Sequence, residues 1–175
     1  MVRVVVVAIV MALALPFIAR AAGSADTETI RHLPESKHTL VAGIRQAEQS
    51  SGTAISAKFE FEDGKFWLSV YTAKDGRVRD AEHNTLMELK GEPNGATWKP
   101  DTEVFADKAH LTRAATQLTL IQLTKTSLAD IVTKAASGQA GTPYSAIPAV
   151  KDGKSVVVVL FALPDGTTNK VSVAL

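Results

Sequence analysis

The sequence predicts an α+β protein made of two repeats of a helix packed on a three-stranded antiparallel meander, with an extra connecting helix. Three observations carry this. Two helical segments with matching apolar stripes recur 88 residues apart. Behind each comes a strand that ends in Asp-Gly-Lys, the second copy 89 residues after the first. A second strand then runs on to another Asp-Gly pair in both copies. A helix lying across one face of an antiparallel meander is an α+β arrangement. The expected organisation is a signal peptide over 1–25, a first repeat over 26–90, a linker and connecting helix over 91–123, and a second repeat over 124–175.

Residues 1–25 read as an export signal. Arg3 supplies the positive start, Val4–Ile18 is an apolar run of 15 residues, and Pro16 breaks it before the small residues Ala19, Ala21, Ala22, Gly23 and Ala25. A membrane span needs about 20 apolar residues, and this run is shorter and ends at Arg20. The expected destination is therefore the periplasm or the medium. Removing the segment leaves 17 basic against 18 acidic side chains, close to neutral.

The first helix is expected around Thr39–Ala47, where Leu40, Ile44 and Ala47 fall on one stripe. Its counterpart is Ser127–Ala135, with Leu128, Val132 and Ala135 on the stripe and Ser127 placed to cap. Gly52 stops the first helix, and Gly138 and Gly141 the second. The strand Ile55–Lys65 aligns without gaps on Tyr144–Lys154, with five of eleven pairs identical. Asp63-Gly64 and Asp152-Gly153 are two-residue hairpin turns, because both turn positions require positive φ. Second strands are expected at Phe66–Ala73 and Ser155–Leu163, and third strands at Arg77–Glu82 and Thr168–Ala174. Residues 84–106 carry Gly91, Pro93, Asn94, Gly95 and Pro100 and read as a turn-rich linker. Asp107–Leu123 reads as the connecting helix, with Leu111, Ala115 and Leu118 on its stripe and Ala114 and Ile121 beside it.

This pattern resembles the PepSY domain. Residues 39–83 carry the likeness best, through Leu40, Ile44, Ala47, Gly52, the strand Ala57–Glu62, Val70, Asp75-Gly76 and Asp80-Ala81. Residues 127–175 match more loosely: Pro148 interrupts the first strand and the Asp-Ala pair is absent. The resemblance implies a small exported module without catalysis, of the kind found in propeptides of thermolysin-like metallopeptidases and as free-standing domains in bacterial envelopes. It implies as partner an envelope protein or peptide, with a peptidase among them; the alternative is a structural or sensory domain with no separate ligand.

Chemistry is sparse along the chain. With no cysteine there are no disulfides, thiolate metal sites or thiol nucleophile. The near-neutral charge argues against binding nucleic acid. His32, His38, His83 and His110 show no paired-ligand spacing, and His32 and His38 lie in a stretch expected to be flexible. Glu60 and Glu62 share one strand face opposite Phe59 and Phe61, as acid and base, as calcium ligands, or as the solvent face of an amphipathic strand. Asp101, Glu103 and Asp107 read as acids at a helix start. No nucleophile elbow or phosphate loop is present, so the expectation is no enzyme, no cofactor and no metal.

The second strands are the most informative. Phe66, Leu68 and Val70 alternate with Trp67, Ser69 and Tyr71, and Val156–Leu163 is apolar on both faces. Something must cover the second face: the other repeat, the connecting helix, a second subunit or a partner. Trp67, Ser69 and Tyr71 are the partner-binding candidates. For the leader, intact-mass measurement of the exported protein should place the new N-terminus between Ala22 and Asp26. A mass retaining Met1 would establish an anchor instead.

Overall fold

The computed structural model describes residues 24–175; the expected signal sequence, apart from Ser24 and Ala25, lies outside the described residues. Four helices and seven strands follow in order: α1 (Ser24–His32), α2 (Leu40–Ser51), β1 (Thr53–Glu62), β2 (Lys65–Ala73), β3 (Leu86–Gly91), β4 (Asp101–Val104), α3 (Lys108–Ile121), α4 (Leu128–Ala136), β5 (Thr142–Lys151), β6 (Lys154–Ala162) and β7 (Thr168–Ala174). The strands form one antiparallel sheet in the order β4-β3-β2-β1-β5-β6-β7. The protein is α+β, as expected from the sequence.

The two stripes that predict α2 and α4 are buried. Leu40, Ile44, Ala47, Leu128 and Val132 are fully enclosed. Thr39 caps α2 by accepting the Ala42 N–H, and Ser127 caps α4 by accepting the Asp130 N–H. Both helices pack on the same face of the sheet and against each other. Gly43 lets α2 come close, since a Cβ there would lie 2.4 Å from a Leu68 methyl. On this first face β1 presents Ala57, Phe59 and Phe61 opposite Val70, Leu68 and Phe66 of β2. β6 adds Val157, Val159 and Phe161, all fully buried.

Several expectations are corrected. The third strand of the first half is β3, not Arg77–Glu82. That earlier segment makes a short 3-10 turn, Gly76–Val78, and then loop. Its sequence offers no apolar face, and Val78 is 93% exposed, whereas Leu86, Met87 and Leu89 of β3 are all buried. The loop turns outward to meet the α3–α4 connection, where Arg77 donates to the carbonyls of Thr124 and Thr126 at 2.7 and 2.9 Å. Residues 84–106 are therefore not simply a linker: they hold β3, β4 and the buried Trp98. The Trp98 indole N–H donates to Gly91 O, and Gln46 donates to Trp98 O. Asp101 and Glu103 lie on β4, and Asp107 alone caps a helix, accepting the Ala109 and His110 N–H groups.

The stripe of α3 is also displaced. Ala114, Gln117, Leu118 and Ile121 are buried, while Leu111 is 38% exposed. A helix missing from the sequence reading, α1, packs along β1. Its Thr29 hydroxyl accepts the Phe61 N–H at 3.0 Å, and the His32 ring stacks on Phe61 with centroids 4.3 Å apart. The stretch expected to be flexible is thus tied to the sheet. His38 also bonds, through Nε2, to Gly95 O at 3.0 Å.

Both hairpin turns follow the expectation. Asp63 and Gly64 have φ of 52° and 74°, and Asp152 and Gly153 have φ of 50° and 73°. Nothing lies within 4 Å of a Cβ built on Gly64, so a side chain there meets no clash and is resisted by the backbone alone. Gly64→Val should lower unfolding free energy by about 1–2 kcal/mol, measured by urea denaturation, because a β-branched residue resists positive φ. An unchanged midpoint would show that this turn does not hold the hairpin.

Candidate functional site

The second face of the sheet is where function-bearing side chains gather. Register places Lys58, Glu60 and Glu62 of β1 beside Ser69, Trp67 and Lys65 of β2. β3 contributes Glu88 opposite Tyr71, and Lys90 opposite Ser69. α3 crosses this face. Ser56 donates its hydroxyl to Gln117 Oε1 at 2.7 Å, and both residues are buried. Tyr71 packs edge-on against Phe105 with centroids 4.7 Å apart.

The three candidate residues fare differently. Ser69 is buried, its hydroxyl 2.8 Å from Glu60 Oε1 and also against Glu88 Oε1. With one hydrogen to give, it serves one carboxylate at a time. Tyr71 is buried under α3 and Phe105. Burial, then Glu88, push its hydroxyl above the ordinary tyrosine range, against the pull of Arg113. Of the three, Trp67 alone keeps open surface. It is half-buried, with Lys65 Nζ and Lys90 Nζ lying 5.4 and 5.5 Å from its ring. The alternation in β2 identified the face; it could not show that α3 would cover one end of it.

Glu60 and Glu62 share a face, as expected, and are bound up in ion pairs. Lys58 pairs with Glu60, and Lys90 reaches Glu60 at 3.3 Å and Glu62 at 2.6 Å. Burial drives the Glu60 carboxyl up, but Lys58, Ser69 and Lys90 together outweigh it and hold Glu60 below its usual range. Burial pulls Lys90 down, and Glu62 and Glu60 more than restore it, so its ammonium is held charged. A carboxylate locked as an anion by two ammonium groups is a poor general acid, and its lone pairs are already engaged.

The histidines are dispersed. His32, His83 and His110 each pair with an acid three residues away, Glu35, Asp80 and Asp107. His110 also stacks on Phe105, with centroids 5.1 Å apart. Among the described residues, no three metal-ligating side chains converge. No described helix is long and apolar enough to cross a membrane. No family model, curated protein or solved structure matches this chain.

The Glu60 cluster has a defined pH dependence. Because the folded carboxyl titrates below its ordinary value near 4.5, the cluster's stabilisation is present above that pH and is lost as pH falls through the folded value. Glu60→Gln should therefore lower the melting temperature at pH 7, and its offset from wild type should shrink as the pH is lowered below 4.5. Melting curves offset equally from pH 3 to pH 7 would show that the ion pairs contribute nothing that titrates.

Proposed function

We propose that the protein is a non-catalytic, exported PepSY-like module that binds a protein or peptide in the bacterial cell envelope, a peptidase being the partner the resemblance suggests. The leader-like run Val4–Ile18 supports export. The tandem reading draws support from strand order: β1, β2 and β3 are successive neighbours on one side of the sheet, and β5, β6 and β7 on the other. α2 precedes the first three strands and α4 the second three. The observation that carries the binding role is Trp67, an aromatic held between two ammonium groups on a sheet face that no helix among the described residues fully covers. Aromatic side chains of this kind dominate protein interfaces, because they bury much area at little entropic cost.

The burial of Ser69 and Tyr71 favours a second reading, a structural or sensory envelope domain whose faces serve only its own assembly. Trp67→Ala separates the two. Its ring makes only half-buried contacts, so truncation should cost about 1 kcal/mol of stability. Capture of an envelope partner on the immobilised mature protein should weaken by about thirtyfold, the equivalent of ~2 kcal/mol at an interface anchor. A loss of 3–5 kcal/mol in folding stability, with capture falling only as the protein unfolds, would favour the self-contained domain.

A further inference from the structure

β1 and β5 pair at only two positions, Ala57 with Ala146 and Lys58 with Ser145, and beyond Lys58 the strands part. α1 stands in the opening, where its Thr29 takes the Phe61 N–H. What remains between the three elements is a slot of about 350 Å³. Asp26 faces it from α1, Lys58, Glu60 and Glu62 from β1, and Tyr144 from β5.

Tyr144 sets this slot apart from an ordinary surface hollow. β5 pairs Pro143 with Phe161 and Ser145 with Leu160, so Tyr144 is the extra residue of a bulge. Bulges re-aim a side chain and gather beside functional sites. Tyr144 is 3% exposed, and its hydroxyl makes no hydrogen bond among the described residues. It is not sealed in, because the one enclosed and unbonded side-chain polar atom among those residues is Thr72 Oγ1. The Tyr144 oxygen therefore opens on the slot it lines. A hydroxyl buried without a partner is costly, and a donor brought by a ligand would relieve it. Burial, then the Asp26 charge, push its titration up to about 12, so it stays a neutral hydroxyl with lone pairs to offer.

The charges around it do not balance. Lys58 pairs with Glu60, and Lys90 of β3 reaches both Glu60 and Glu62. Asp26 is half-buried and has no ion pair among the described residues, so the charge left over lies beside Tyr144. We propose that the slot takes the ammonium of a lysine side chain carried by a protein partner. Calcium would need six to eight oxygens, and two of the three carboxylates here are already held by lysines. An ammonium has three diverging donors, which suit separate acceptors such as the Asp26 carboxylate and the Tyr144 oxygen. A planar guanidinium fork is matched instead to the edge of a single carboxylate. The apolar stem of a lysine would lie along Ile147 and Leu160, which are half-buried in the same slot. Glu60 stands opposite Trp67, so a chain whose lysine enters here passes within one strand of that ring. The proposal rests on the binding-module reading and gives its partner a lysine beside the segment that packs on Trp67.

The test titrates isotope-labelled mature protein with the blocked peptide acetyl-Gly-Leu-Lys-Leu-Gly-amide, followed by amide NMR shifts. Two comparison peptides carry Nε-acetyllysine or arginine in place of the lysine. Shifts should appear at Thr29, Phe61 and Tyr144. The lysine peptide should bind about tenfold tighter than the acetyllysine peptide, which lacks the charge, and about threefold tighter than the arginine peptide. Asp26→Asn, shown folded by circular dichroism, should weaken binding about tenfold. Tyr144→Phe should weaken it about threefold while its melting temperature holds or rises, since the hydroxyl has no partner to lose. Equal affinity for the acetyllysine peptide, shifts only at other sites, or full binding by Asp26→Asn would overturn the proposal. So would binding that appears only once the mature α-amine is acetylated, which would assign the slot to the chain's own N-terminus. Trp67-dependent capture of a partner without any lysine binding would remove this slot alone and leave the binding role standing. Lysine binding alongside capture that ignores Trp67→Ala would support the slot and remove the Trp67 reading.

Discussion

Ala57 opposite Ala146 and Lys58 opposite Ser145 are the register pairs that join β1 to β5 and so make one sheet of two sets of strands. The ladder is short for local reasons. Each strand carries a register shift near its start, at Ala54/Ser56 and at Pro143/Ser145. Two residues beyond Ala146, Pro148 has no N–H with which to continue the pairing. The seam is completed by helices. On the first face the two alanines take little room, and α2 and α4 meet over them. At the end where β1 leaves β5, Thr29 of α1 accepts the Phe61 N–H, the role a neighbouring strand's carbonyl would otherwise fill. On the second face Ser56 and Gln117 tie β1 to α3.

That arrangement leaves the first face a dry core and the second a surface of mixed character. Half-buried ion pairs such as Lys90 with Glu60 and Glu62 add modestly to stability, since desolvation offsets much of their attraction. Their larger effect is positional: Lys90 lies over Trp67 and, with Lys58, holds Glu60 as an anion. Trp67 is thereby presented in a fixed charged frame, while Tyr71 two residues on is closed off by α3. The β5–β7 half has no such network, and its lysines stand around aliphatic side chains.

Period and turn chemistry made much of the fold legible. Leu40, Ile44 and Ala47, and Leu128, Val132 and Ala135, state their helices because a stripe at helical spacing has one way to be buried. Asp63-Gly64 and Asp152-Gly153 state their hairpins because few residue pairs tolerate two successive positive φ angles. The errors fall where local preference is weak. Asp75-Gly76 does begin a turn, but the loop it opens runs on to Thr85, whose carbonyl accepts the Lys74 N–H. Asn84 closes that loop through Asp75 N–H and Gly76 O. Arg77–Glu82 follows an Asp-Gly turn as a third strand would, but it has no apolar face, and the apolar set at Leu86–Leu89 won the place beside β2. A large apolar residue, Trp98, was the available sign that the turn-rich stretch belongs to the core.

The amino-acid sequence by itself determined the α+β class, the α2 and α4 helices, the β1–β2 and β5–β6 hairpins, and the alternation that sets Trp67, Ser69 and Tyr71 on one face. These depend on spacing within a few residues, where backbone geometry permits few solutions. Only the tertiary structure decided that β1 pairs with β5, that α3 lies across the second face, and that Ser69 and Tyr71 are enclosed while Trp67 is left open. Those outcomes depend on contacts between residues tens of positions apart, Ser56 with Gln117 and Ala57 with Ala146, which no local pattern encodes.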